Sequence, residues 1–159
     1  MFQRDFDSYV CDGDSITCTS ADGFFCRATL HYDDDTTPPD KRQDGFWPSL
    51  DPKDAGYIGP KSKSTLARER KHMKHVMDSW LRDEWHYYGI NVEVWREGVL
   101  LTGKWEHASW GIEGNWPSRD KRKNTNAYFR EAANDLLIHA LTAARAKLKA
   151  LRLDTPLLA

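Results

Sequence analysis

The chain has 159 residues, a net charge of −1, 40% hydrophobic and 12% aromatic residues. That length fits one domain, residues 1–159, able to bury about two thirds of its unfolded surface, and the composition excludes general disorder. No apolar run approaches the ~20 residues of a membrane-spanning helix. The balanced total hides a polarity: residues 1–60 carry twelve aspartates, no glutamate and five lysines or arginines, a net −7, and residues 61–159 a net +6. Such asymmetry shapes which surfaces attract partners and says little about fold.

Residues 1–14 read as an irregular lead-in with a short strand at Ser8-Tyr9-Val10. Residues 1–32 form an N-terminal hairpin unit. Within it a three-residue loop with Gly23 in the left-handed position places Ile16 and Cys18 on the same face as Phe24, Cys26, Ala28 and Leu30. Cys11, Cys18 and Cys26 are odd in number and close together, which favours reduced thiols over a disulfide framework. The first residues lack the basic, apolar, small-residue order of a signal peptide, so a cytoplasmic location is expected.

From 33 to 63 periodicity stops: Asp33-Asp34-Asp35 is followed by five prolines and by Trp47 and Tyr57. Aromatic content argues for an ordered loop laid across the body and pinned by those two rings. Ser62 or Ser64 caps a helix over 64–84, whose stripe is Leu66, Met73, Val76, Met77, Trp80 and Leu81. Six of the seven tryptophans fall between Trp80 and Trp116. Each can bury roughly 150–250 Å², so the expectation is a core assembled on a three-stranded meander over 87–116. Rings lining an open cleft would instead point to a small-molecule or sugar receptor. A basic loop, Arg119 to Lys123, leads to a helix over 125–151 with an apolar stripe from Phe129 to Leu148. The order β-β-α-β-β-β-α predicts an α+β fold: an antiparallel sheet of about five strands with two helices packed on one face.

Motifs for chemistry are sparse. There is no P-loop, GxGxxG, GxSxG or HExxH. His72 and His75 share a helix face, but Arg70, Lys71 and Lys74 surround them and no third ligand is placed, so neither metal nor cofactor is expected. Glu84, His86, His107 and Glu113 would supply a general acid and base only if they met at the ends of the meander. From Ala67 to Leu148 the order α-β-β-β-α resembles that of double-stranded-RNA-binding domains, and the resemblance would put Arg119, Lys121, Arg122 and Lys123 on duplex phosphates, which makes a nucleic-acid-binding module the alternative reading.

The stretch Asp44-Gly45-Phe46-Trp47-Pro48-Ser49-Leu50-Asp51-Pro52-Lys53-Asp54-Ala55-Gly56-Tyr57-Ile58-Gly59, with Asp83-Glu84-Trp85, Trp110-Gly111-Ile112-Glu113 and Ala132-Ala133-Asn134-Asp135-Leu136-Leu137, resembles a group of short phage- and plasmid-borne proteins of Gram-negative bacteria. The resemblance carries no catalytic residue. It implies a non-enzymatic binding protein of a mobile element that blocks a host protein or nucleoprotein, as anti-CRISPR inhibitors do. The expected surface is the acidic loop, with Asp33, Asp34, Asp35, Asp40 and Asp44 as charge and Trp47 and Tyr57 as anchors.

Overall fold

A computed structural model of the chain describes residues 1–43, 47–55, 57, 59, 60 and 62–153, the last two by backbone alone. The element order is β1 (Ser15–Thr19), β2 (Phe25–Tyr32), α1 (Lys63–Leu81), β3 (His86–Arg96), β4 (Val99–Leu100), β5 (Ala108–Gly114) and α2 (Tyr128–Leu153). The expected α+β fold, an antiparallel five-stranded sheet with two helices, is present.

The N-terminal hairpin forms as its apolar alternation requires. Ser20 N–H donates to the Phe24 carbonyl at 2.9 Å and closes a three-residue loop in which Gly23 takes φ 81°. Ile16 pairs with Ala28 and Cys18 with Cys26, so the two cysteines lie opposite one another as free thiols. Beyond the tip, Arg145 of α2 grips Asp22 through Nε–Oδ2 at 2.8 Å and Nη2–Oδ1 at 3.2 Å. That guanidinium holds the Asp22 carboxyl well below the usual carboxylate range.

No strand forms at Ser8-Tyr9-Val10, where the sequence suggested one. The lead-in is instead tied down by side chains. Asn126 Nδ2 donates to the Asp7 and Ser8 carbonyls, Asn115 Oδ1 accepts from Val10 N–H at 2.8 Å, and the Tyr88 hydroxyl donates to the Val10 carbonyl at 2.9 Å. With its backbone groups satisfied this way, the segment buries Phe2, Phe6 and Val10 without joining a ladder.

β3 is the centre of the sheet and runs eleven residues. The full length of β2 pairs with it, from Phe25↔Trp95 to Tyr32↔Tyr88. The other edge of β3 departs from the expected three-stranded meander. β4 pairs only with its last residues, Trp95↔Leu100 and Arg96↔Val99, and β5 pairs with its first half, from His86↔Gly114 to Asn91↔Ala108. The two short strands therefore share one edge, separated by an excursion over 101–107. A bulge sets two residues of β5, Trp110 and Gly111, against Gly89 between the pairs Tyr88↔Ile112 and Ile90↔Ser109, with Gly111 at φ 78°. The bulge returns Ile112 to the core and throws Trp110 to the opposite face.

The inner face carries the main core. Leu30, Tyr88, Ile90, Val92 and Val94 meet Phe129, Ala133, Leu137, Ala140 and Ala144 of α2, the stripe read from the sequence. Alanines at successive turns let α2 lie close to the strands, and Phe129 packs edge-on against Tyr88 at 5.7 Å. Of its expected stripe, α1 gives Val76 and Trp80 to a second cluster at the end of the sheet, where Val76 meets Trp85 and Tyr87 with Trp47, Trp80 and Trp116 partly buried around them, whereas Leu81 is exposed. The Trp85 indole N–H donates to the Val76 carbonyl at 2.8 Å. α1 ends at Leu81, short of the expected residue 84, because Asp83 turns to φ 58°. Ser62 holds the N-cap position, though its hydroxyl meets Ser64 Oγ rather than a helix N–H.

The tryptophans do not build the interior as expected. Trp85 is fully buried, whereas Trp105 and Trp110 are 40% and 44% exposed. Strand parity is the reason: Trp95 is an odd-numbered residue of β3, where the inner face takes the even ones, and Trp110 is displaced by the bulge.

Candidate binding face

Residues directly paired across strands share a face, so the registers lay out the side of the sheet that α2 does not cover. Ser15, Thr29, Asn91 and Ala108 form one row across it. Thr17, Arg27 and Glu93 form the next, and Thr19, Phe25, Trp95 and Leu100 the one beyond. In the other direction His31 stands opposite Gly89. Among the described residues, no helix packs on these rows. Between two aromatic walls they form a floor of hydroxyl and amide groups, Ser15, Thr17, Thr29 and Asn91, crossed by the Arg27–Glu93 ion pair.

The first wall is Phe25 with Trp95, ring centroids 5.6 Å apart. Arg27 lies 4.8 Å over the Trp95 ring and 3.1 Å from Glu93 Oε2. The second wall is Trp105, 4.7 Å from the His31 ring and 5.5 Å from Trp110. Trp110 packs against Gly89: a Cβ at that position would come within 2.2 Å of the indole, so only glycine admits the ring there. Trp105 sits in a tight turn closed by Gly103 N–H donating to Glu106 Oε2 at 2.6 Å, and its backbone takes φ 60°. A left-handed backbone is unusual for a bulky side chain, and such strain concentrates at functional sites.

Between the walls runs a groove of about 400 Å³ lined by Ser15, Thr29, Asn91, Glu93 and Lys104 among others. A second depression of about 510 Å³ continues past Arg27 to Phe25 and Trp95. At the groove floor Asn91 is 5% exposed, and its Oδ1 has no hydrogen-bond partner among the described residues. A buried unpaired amide oxygen costs about 1–3 kcal/mol, which makes this side chain the feature of the face that packing explains least.

The residues singled out from the sequence are distributed elsewhere. Arg42, absent from the sequence reading, is buried and draws in two of the acidic-loop residues: its Nη2 lies 3.2 Å from Asp33 Oδ2 and 3.8 Å from Asp35 Oδ2. Its guanidinium stacks 4.0 Å over Tyr87. Asp34 and Asp40 are exposed, and Asp44 lies outside the described residues. Trp47 packs against the second cluster, and the Tyr57 hydroxyl donates to the Pro60 carbonyl of the same loop at 2.6 Å.

In the basic loop, Arg119 forms a two-pronged pair with Glu69 of α1 and Arg122 pairs with Asp120 at 3.1 Å. Lys121 and Lys123 are exposed. Arg119 is also what lowers the Glu69 carboxyl from its ordinary value.

The four residues of the acid–base reading are not gathered. Val92 N–H donates to the His107 carbonyl, which places His107 six residues along β3 from His86, about 20 Å at strand spacing. Glu113 pairs with Tyr87 on the outer face, and His86 pairs with Gly114 on the inner one. Glu84 is held by Arg82 at 2.7 Å, and that bond, with help from Ser79, lowers its carboxyl to about 2.

The outer face was implicit in the hairpin reading, because placing Phe24, Cys26, Ala28 and Leu30 inward sends Phe25, Arg27, Thr29 and His31 outward. Asn91 and Trp105 carried no such signal: one sits mid-strand, and the other lies in a turn whose shape depends on the shared edge. Comparison of the chain with protein-family models, with curated proteins and with solved structures gives no match in any of the three.

Proposed function

We propose that this chain is a binding protein whose recognition surface is the open face of its sheet. The carrying observation is Asn91, buried with an unpartnered amide oxygen on the floor of a groove walled by exposed indoles. Binding sites combine apolar walls with a few placed polar groups, and this face has that composition. The resemblance read from the sequence to phage- and plasmid-borne proteins would make a bacterial host the source of the ligand. A second reading, an inhibitor that blocks a host defence nucleoprotein through the acidic loop, draws on the exposed carboxylates Asp34 and Asp40.

One experiment separates the two. The immobilised protein is exposed to bacterial lysate, with and without nuclease, beside two variants: Trp105→Asn with Asn91→Ser, and Asp34→Lys with Asp40→Lys. The open-face reading expects the first variant to lose what the wild type retains and the second to keep it. Retention by the first and loss by the second would replace it with the acidic-loop reading.

A further inference from the structure

Resting on the open-face reading, we infer that the ligand is a neutral oligosaccharide, laid along the strands between the two aromatic walls.

Charge decides between the polymers that stack on rings. Single-stranded nucleic acid needs cations free to meet phosphates, and their counterion release makes binding steeply salt-dependent. Here the cations are already engaged. Arg27 is held by Glu93 and by the Trp95 ring. Lys104 stands over Trp105 at 5.6 Å. The chain beside the groove adds carboxylates, with Asp12 bound to the Tyr32 N–H and Asp14 to the Cys11 N–H. A phosphate strand would meet nearly balanced charge along this face.

The floor matches hydroxyl-rich chemistry instead. Ser15 and Thr29 offer hydroxyls that both donate and accept, and Asn91 adds an amide with an oxygen lacking a donor. Trp110, packed against Gly89 and 44% exposed, offers indole surface to the apolar face of a sugar ring. Phe25 and His31 mark the two walls on β2, six residues or about 20 Å apart, long enough for an oligomer rather than a monosaccharide.

The test is a titration of isotope-labelled protein with hexasaccharides of glucose and of N-acetylglucosamine, beside a thymidine dodecamer. The expected result is that one sugar series shifts the amides of Thr29 and Asn91 and the indole N–H of Trp105 and Trp110. Its affinity should stay constant from about 0.05 to about 0.5 M salt. Trp105→Asn relieves the left-handed backbone while removing the ring, so it should weaken binding by about tenfold or more with an unchanged or raised melting temperature. The dodecamer shifting these resonances with affinity that collapses in salt would overturn the sugar assignment and leave the open-face reading standing. Absence of sugar shifts on this face would also overturn the assignment. A face variant that retains everything the wild type captures from lysate would remove the open-face reading itself.

Discussion

Replacing Arg42 by methionine tests how the long loop is fastened. The Arg42 side chain is 2% exposed and Asp33 11% exposed; their 3.2 Å pair is joined by the Asp35 carbonyl at 3.3 Å and by Tyr87 beneath the guanidinium. Methionine fills part of the volume and removes the charge, leaving the Asp33 carboxylate buried without its cation. Breaking a buried pair from one side costs about 3–5 kcal/mol, against a total stability of roughly 5–15 kcal/mol for a domain. With a urea m-value of about 2 kcal/mol/M, the unfolding midpoint should fall by about 2 M. Tryptophan fluorescence reports the transition, since Trp47 and Trp85 lie in the adjoining cluster. Adding Asp33→Asn removes the orphaned charge and should recover most of the loss, because the two sites are coupled. A single-variant change below about 1 kcal/mol, or a double variant no more stable than the single, would refute this account of the loop.

Two further outcomes follow from buried polar groups. Asn126 is fully buried and bonds to Asp7, Ser8 and both ends of Asn115, so Asn126→Ala should destabilise by about 2–4 kcal/mol and loosen the lead-in toward proteases; a loss under about 1 kcal/mol in thermal melts would contradict the network's role. Burial, reinforced by Cys18, pushes the Cys26 thiol from 9.0 up to about 12. Burial, reinforced by Tyr32, raises the Tyr88 phenol above its ordinary 10.0. The unfolded chain releases these protons first, so the associated stability is intact below pH 9.0 and declines as the pH rises toward 12. Urea midpoints compared at about pH 8 and about pH 11 should drop, and less so in Cys26→Ala; a midpoint that held steady would contradict the burial of these groups.

Much of the architecture was legible because it is written in short-range periodicity. Alternation in 15–32 fixes both the inward set and the three-residue loop closed by Gly23. The alanine-rich stripe of α2 announces a helix that lies close to strands. The first half of β3 was harder: His86-Tyr87-Tyr88-Gly89 does not alternate in polarity, because both its faces are covered, by α2 on one side and by Arg42 and Trp110 on the other. A tryptophan count likewise measures how much ring is present and not which face receives it. Trp85 and Trp110 are identical to a hydropathy reading, yet one is interior and the other lies on the open face.

The sequence by itself determined the main elements, their order and the parity of β1, β2 and β3, since these follow from the φ/ψ preferences and spacing of neighbouring residues. Tertiary structure decided where β4 and β5 pair, that Arg42 draws in Asp33 and Asp35 of the acidic loop, and that Asn91 and Trp105 meet at one groove. Those outcomes depend on contacts between residues far apart in the chain, whose energies are set by which surfaces finally exclude water, and no local pattern encodes that competition.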